Sequence, residues 1–233
     1  MRINQQPACV LHVRPWRETS LLLECLCRDH GRVGLVARGA RSGRSRLARA
    51  LLEPFQDLEI DFAGRGELAT LSQAEPVSPP RALKGAALYS GLYLNELLVR
   101  MLARQDPHPG LLARYQTVLD ALAEGRDMAW PLRRFERDFL AMVGYALELC
   151  HEADSGEALA DTTEYVYVPE HGPVPWHGQD GVRLRGCDLR AFGEDRRPGD
   201  AVMPLLRRMM RDLIRWHCPG GELRSWSLVS SAG

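Results

Sequence analysis

The chain has 233 residues, 45% hydrophobic and 26% charged, the proportions of an ordinary globular protein with room for one large domain or two small ones. Thirty basic side chains balance thirty acidic ones, which argues against a protein that coats nucleic acid over its whole surface and leaves a local binding face. Residues 1–16 hold no apolar h-region and no run approaches the length of a membrane span, so the expectation is a cytoplasmic protein that makes no membrane contact.

From the N-terminus, the first eighty residues read as short strands. Residues 8–14 form an apolar run ended by Pro15. Residues 20–27 are leucine-rich and close at the turn signal Asp29-His30-Gly31. Val33, Leu35 and Val36 mark a third run, and Leu58, Ile60 and Phe62 alternate with Glu59 and Asp61 in a half-buried fourth. After Gly64-Arg65-Gly66, Leu68 and Leu71 lie on a fifth. Pro76, Pro79 and Pro80 end the region and mark a domain boundary. Five short strands with a long loop after the third fit a small closed barrel. An OB-fold and an SH3-like barrel satisfy that count equally.

The loop is the most unusual segment. Residues 30–52 hold six arginines (Arg32, Arg38, Arg41, Arg44, Arg46 and Arg49) and no acidic residue. In a neutral chain a stretch of that length should carry roughly three charges of each sign. Gly39, Ser42, Gly43 and Ser45 lie among the arginines, the composition of a loop. Each guanidinium can neutralise a phosphate and release its counterion, which suits a polyanion. A solvated surface loop would carry the same residues. Lys84 is the only lysine, so the positive charge sits on guanidinium forks that bind phosphate bidentately and stack on bases.

Beyond residue 80 the periodicity is helical. Leu88, Leu92, Leu94, Leu97, Leu98, Met101 and Leu102 give one apolar face within residues 82–104. Leu111, Tyr115, Val118, Leu119 and Leu122 give a second, stopped by Gly125. Leu132, Phe135, Phe139, Met142 and Val143 give a third, stopped by Gly144. Residues 151–190 break the pattern, with short strand signals at residues 165–168 and 182–184. A last helix over residues 202–217 places Val202, Leu205, Leu206, Met209, Leu213 and Trp216 inside. The fold class is therefore α+β: a β-barrel over residues 1–80, then a mainly helical domain over 81–233 with an irregular β-containing excursion.

Catalytic motifs are missing. Ser155 stands where the second histidine of a metalloprotease helix would follow His151-Glu152. Residues 39–45 are one residue too short between glycines for a phosphate loop, and Arg44 replaces its lysine. The six cysteines form no CxxC pair; Cys150-His151 and Cys187 are the nearest to a metal set. No cofactor or metal, and no enzyme, is expected. Two further basic features invite binding. Arg133-Arg134 beside Phe135 and Phe139 can hold an acidic peptide with a hydrophobic end, although ordinary helix amphipathicity explains the same pattern. Arg207, Arg208, Arg211 and Arg215 form a secondary basic surface on the last helix, which is equally a solvated face partly paired with Asp212.

Several segments then carry a resemblance. They are Val10-Leu11-His12, Arg14-Pro15-Trp16 with Glu18-Thr19-Ser20-Leu21, Gly31-Arg32-Val33, and Val36-Ala37 before Gly39-Ala40-Arg41-Ser42. Others are Gly64-Arg65-Gly66-Glu67, Leu88-Tyr89-Ser90-Gly91-Leu92-Tyr93 with Asn95-Glu96-Leu97-Leu98, Leu132-Arg133-Arg134-Phe135-Glu136, Gly144-Tyr145 and Ser155-Gly156-Glu157 near Asp161-Thr162. Taken in order over nearly the full length, they resemble the RecO family of bacterial recombination mediators of the RecF pathway, in its enterobacterial form. The resemblance implies an OB-fold joined to a helical domain, binding of single- and double-stranded DNA, and annealing of complementary strands. It also implies partnership with RecR and with the acidic, Phe-ended C-terminal tail of single-stranded DNA-binding protein (SSB), leading indirectly to RecA loading, at the nucleoid. The tail site would then be Arg133, Arg134, Phe135 and Phe139. Many members carry a four-cysteine zinc site that this chain lacks.

On this reading Arg38, Arg41, Arg44, Arg46 and Arg49 draw two strands onto the barrel, with Arg32 and Arg65 in support. Trp16, Phe55 or Phe62 are the aromatic candidates for base stacking, against the usual place of such rings in a barrel core. Two other classes fit the barrel and its loop: a protein-interaction adaptor and a nucleic-acid-processing enzyme.

Overall fold

The computed structural model describes residues 2–42, 51–64 and 66–230. Arg44, Arg46, Arg49 and Arg65 of the expected DNA-binding set lie outside the described residues.

Five strands, β1 (Arg2–Trp16), β2 (Ser20–Cys27), β3 (Gly31–Ala37), β4 (Asp57–Ala63) and β5 (Leu68–Pro76), close a barrel in the order β1-β2-β3-β5-β4. Every neighbouring pair is antiparallel except β3 and β5, which run parallel. That connectivity is the OB-fold and removes the SH3-like alternative. β1 extends well past its apolar run at both ends because it serves two partners. Arg2 to Cys9 pair with β4, and Ala8 to Trp16 pair with β2. Pro15 lies beyond the last β4 partner, so its missing N–H breaks no bond on that side.

All eight residues of β2 are buried. The core combines Leu23, Cys25 and Cys27 with Val10, Leu35, Ile60 and Leu71. All six cysteines are free thiols, and Cys9, Cys25 and Cys27 are buried in β1 and β2. Closure depends on Gly34: a Cβ there would meet the Leu68 side chain at 2.8 Å, across the β3–β5 seam. Gly31 at the start of β3 has φ +62°, and a Cβ there would lie 2.0 Å from the Asp106 carbonyl oxygen.

By its contacts the chain forms two compact units, Met1–Arg126 with Leu223–Gly233, and Asp127–Glu222. The first holds the barrel, α1 (Gly85–Met101), α2 (Leu111–Glu124) and the short α6 (Ser225–Ser230). A bulge between Val10 and His12 takes Leu11 out of the β1–β2 ladder. Asn95 of α1 donates its amide to the Leu11 carbonyl at 2.8 Å, and the Tyr115 hydroxyl of α2 donates to the Asn95 oxygen. Arg81, between barrel and helices, pairs with Asp57 at 2.6 Å and Asp120 at 2.6 Å. α1 and α2 are thus fastened by buried polar groups that need one another. Glu96 of α1 accepts the backbone N–H groups of Arg224 and Ser225 at 2.9 and 2.8 Å, which holds α6.

The second unit contains α3 (Ala129–Met142), β6 (Glu164–Val168), β7 (Gly172–Pro175), β8 (Arg183–Arg185), α4 (Gly186–Gly193) and α5 (Met203–His217). The expected excursion is an antiparallel sheet in the order β7-β6-β8. Trp216 does not join the inner face of α5, contrary to the sequence reading: it is 64% exposed. The buried stripe runs through Leu206, Met210, Leu213 and Ile214 and is continued by the half-buried His217, which stacks on Tyr145 at 4.0 Å. At about 100° per residue, that stripe carries Trp216 round to the outer side.

Candidate nucleic-acid interface

The described arginines of the loop do not share one environment. Arg32 on β3 has only 14% of its side chain exposed. Its Nε donates to the Leu102 carbonyl at 3.0 Å and its Nη1 to Glu24 Oε2 at 2.8 Å. Arg104 reaches the other Glu24 oxygen, and Gln105 N–H donates to the Arg32 carbonyl at 2.8 Å. Glu24 therefore clamps two guanidiniums, one from the adjacent strand and one from beyond α1. Arg104 escaped the sequence reading because its partner lies eighty positions away.

Arg38 and Arg41 are exposed and sit at one end of the barrel. Arg41 N–H donates to the Thr19 carbonyl at 2.9 Å, and its Nη1 to the Arg17 carbonyl at 3.3 Å. Ser42 Oγ donates to the Gly39 carbonyl at 2.7 Å. The stem of the arginine loop is thereby folded onto the β1–β2 turn. The register aligns Pro15, Leu21 and Ala37 across three strands. Arg14, Arg17, Arg38 and Arg41 accordingly cluster at that end, with Glu18 in the same turn. Arg14 and Arg17 were missed by the sequence reading, although both flank Trp16. The Arg14 guanidinium lies 5.6 Å from the Trp16 ring, which is half-buried. Phe55 and Phe62 are buried; Phe55 packs under Gly91 of α1 and Phe62 meets the His30 ring edge-on at 5.9 Å.

In the second unit, Arg133 is 7% exposed and pairs with the buried Glu136. Its Nε is buried with no hydrogen-bond partner among the described residues. Phe135 and Phe139 are buried and stack on each other at 5.9 Å. Arg134 has 45% of its side chain exposed and donates to both oxygens of Asp195, at 2.6 and 2.5 Å. Partial burial alone would raise the Asp195 carboxyl, but hydrogen bonds from Arg134 and Arg137 hold it below the usual carboxylate range. Arg134 also lies 6.0 Å from the ring of half-buried Trp130. Trp130, Arg137 and Asp195 had no sequence signal as part of this surface.

On α5, Arg207 and Arg208 are exposed, and among the described residues neither has an ion-pair or hydrogen-bond partner. Arg211 is half-buried. Arg215 is shared between Asp212 and Glu222, each at 3.2 Å. Among the described residues no group of three or more His, Cys, Asp or Glu is placed to hold a metal ion. No helix among them is long and apolar enough to cross a membrane.

A five-stranded OB barrel with an arginine-rich loop stem, joined to a helical region, defines an OB-fold protein of the two-part kind. Family models place it further: "Recombination protein O N terminal" matches residues 1–80 and "Recombination protein O C terminal" matches residues 83–226. The chain is 42% identical to the DNA repair protein RecO of Xanthomonas oryzae pv. oryzae (strain PXO99A), covering 98% of this chain and 97% of that one. It is 43% identical to the DNA repair protein RecO of Ralstonia nicotianae, over 98% of this chain and 84% of that one. The Methylococcus capsulatus protein of the same name is 42% identical, over 99% and 95%. The chain belongs to the RecO family, and its role lies in DNA repair and recombination.

Proposed function

We propose that the protein is a non-catalytic mediator of recombination that binds single- and double-stranded DNA, anneals complementary strands and helps displace SSB so that RecA can load. The observation that carries this reading is the cluster of Arg14, Arg17, Arg38 and Arg41 at one end of a closed OB barrel. Ser42 is the last described residue before Arg44, Arg46 and Arg49. Annealing needs no acid or base. It needs two mutually repelling strands held close with their bases free, and guanidiniums that neutralise phosphates lower that repulsion. Arg32 is committed to Glu24 near the start of β3, at the other end of that strand from Arg38, and is held by the fold rather than by phosphate; Arg65 completes the proposed set. Residues 1–80 form the DNA-binding domain and residues 81–233 the partner-binding one, with RecR among the partners.

The tail of SSB docks at α3. The orphaned Nε of Arg133 and the exposed Arg134 are cations suited to its carboxylates, and Phe135 and Phe139 back the surface. The protein works in the cytoplasm at the nucleoid.

The test is anisotropy of a labelled single-stranded oligonucleotide over a salt series, with the wild type and an Arg41/Arg44/Arg46 triple alanine variant. Tight binding that weakens steeply with salt and is lost in the variant is expected. Undiminished binding by the variant would remove the barrel end as the site. Metal- or nucleotide-dependent turnover of the DNA would replace the mediator with an enzyme.

A further inference from the structure

Between Arg137 and Arg183 the chain carries nine acidic residues and not one lysine or arginine over forty-five positions. A neutral chain should place roughly six basic side chains in a stretch of that length. Among the described residues, arginines from outside reach three of the nine: Arg137 pairs with Asp138, Arg190 with Asp161 and Arg183 with Glu164. The basic side chains that Glu148 and Asp154 meet are histidines, His151 at 3.3 Å and His171 at 2.9 Å. Glu170 is exposed and has neither an ion pair nor a hydrogen bond among the described residues. The second unit therefore presents negative charge that its own arginines do not neutralise.

That surface is hollowed. Tyr145, Glu148, Tyr167, Glu170, His171 and His217 line a cavity of about 300 Å³, at the small end of ligand pockets. Gly144, at φ +95°, turns the chain after α3, and Tyr145 N–H donates to the Leu140 carbonyl at 2.8 Å. The Tyr145 ring stacks on His217, the last residue of α5, with planes 25° from parallel, and stays 40% exposed. Ala153 N–H donates to the Pro173 carbonyl at 2.9 Å, which keeps the Asp154 turn beside β7, where Asp154 meets His171.

The charge in the cavity is negative. Cys150 and His151 donate their backbone N–H groups to Glu148 Oε1 at 2.7 and 3.0 Å and hold its carboxyl below the usual range. Burial lowers His217 below the ordinary imidazole value, so that ring is uncharged near neutrality. Burial pushes the Tyr167 hydroxyl up to about 12, so it stays a phenol. Arg215, two residues before His217, is already shared between Asp212 and Glu222. α3 and α5 both end at the cavity, and helix C-termini carry partial negative charge.

Carboxylates beside open aromatic faces select a planar cation. An ammonium answers the charge alone. A guanidinium also lies flat on a ring and offers a carboxylate two parallel N–H groups. A small free cation would fill the cavity but leave the acidic surface around it unused, whereas a segment with several basic residues covers both. DNA, a polyanion, is repelled here. We propose that this cavity receives an arginine side chain from a basic segment of a partner protein, with Tyr145 and Tyr167 as its stacking faces and Glu148 and Glu170 as its counter-charges. The proposal is independent of the DNA-binding reading.

The full chain is titrated by calorimetry with a short acid-free peptide carrying several arginines, and with the same peptide bearing lysine or uncharged citrulline instead. The variants are Glu170→Gln, Tyr145→Ala and Tyr145→Phe, each checked for fold by circular dichroism. The arginine peptide should bind, the lysine peptide roughly fivefold more weakly and the citrulline peptide not measurably. Glu170→Gln and Tyr145→Ala should each weaken the arginine peptide roughly fivefold, while Tyr145→Phe stays near wild type. Single-strand DNA affinity should be unchanged in all three. Equal binding of the arginine and lysine peptides overturns the proposal, because the acidic surface would then attract charge without using the cavity. Arginine-peptide binding that neither Glu170→Gln nor Tyr145→Ala weakens overturns it too, as does a wild type that binds none of the peptides. Self-association in sedimentation that Glu170→Gln abolishes would make a second copy of this chain the occupant and overturn the partner.

Discussion

Arg32 in the barrel and Arg208 on α5 are the same side chain in opposite states. Arg32 comes from the most charge-biased stretch of the chain, yet the fold brings Glu24 and the Leu102 carbonyl to it and leaves little of it in water. Arg208 comes from an unremarkable amphipathic helix and keeps its charge exposed. The density of arginine along the chain is thus a poor guide to the charge a ligand meets. What counts is whether the fold supplies a carboxylate, and that carboxylate can sit far off in sequence. Arg133 extends the contrast: it is the most deeply buried of the described proposed binding arginines and pairs with Glu136 one turn away.

Removing the partners should separate the classes. The largest effect belongs to Arg133→Ala, which breaks the buried Arg133–Glu136 ion pair. About 3–5 kcal/mol of stability should be lost in urea denaturation, and a loss under 1 kcal/mol would show that Arg133 is held for a ligand alone. Glu24→Ala comes next. It takes their shared carboxylate from Arg32 and Arg104, which keep the Leu102 carbonyl and Glu67, and because both guanidiniums also keep some water the expected cost is about 2–3 kcal/mol. Arg208→Ala closes the series. Its stability should stay within about 0.5 kcal/mol of wild type, while the salt slope of single-strand binding should fall by about 0.7. An Arg208→Ala protein as destabilised as Glu24→Ala would erase the distinction.

Asp195 sharpens the contrast in the second unit, because it holds Arg134 in competition with any incoming carboxylate. Asp195→Asn should tighten binding of an acidic, Phe-ended peptide a few-fold, as measured by calorimetry; weaker binding would mean that Asp195 positions Arg134 instead of restraining it. The folded-state carboxyl titrates below its unfolded value of 3.8. Its contribution is therefore present above that value and is lost as pH falls through the folded value. The stability difference between wild type and Asp195→Asn should accordingly be constant near neutrality and shrink below about pH 4.

The sequence made the barrel legible because its strands are short, apolar and punctuated by turns, and period-two alternation survives local reading. Closure order did not follow from that pattern, since the parallel β3–β5 seam depends on a close approach at Gly34 rather than on either strand's composition. α4 and α6, with eight and six residues, are too short to show a helical period and went unread. Trp216 was set inside because it falls three residues after Leu213. The inner stripe instead passes through His217, which the Tyr145 ring holds in place. The cluster at the barrel end was half visible: Arg38 and Arg41 stood out as part of a run, but Arg14 and Arg17 join them only through strand register and the fold of the loop stem.

The three thiols in the barrel strands have a consequence for how its opening can be watched. Burial pushes Cys9 and Cys25 far above the ordinary thiol range, and burial together with the Asp29 charge pushes Cys27 up to about 12. The folded barrel therefore offers almost no thiolate at neutral pH, and thiolate is the species that alkylating reagents and disulfides attack. Each of these cysteines becomes reactive only when the β1–β2 ladder parts. Labelling of Cys9, Cys25 and Cys27, resolved by peptide mass, is thus a clock for barrel opening that requires no engineered probe, and DNA bound to that barrel should slow it.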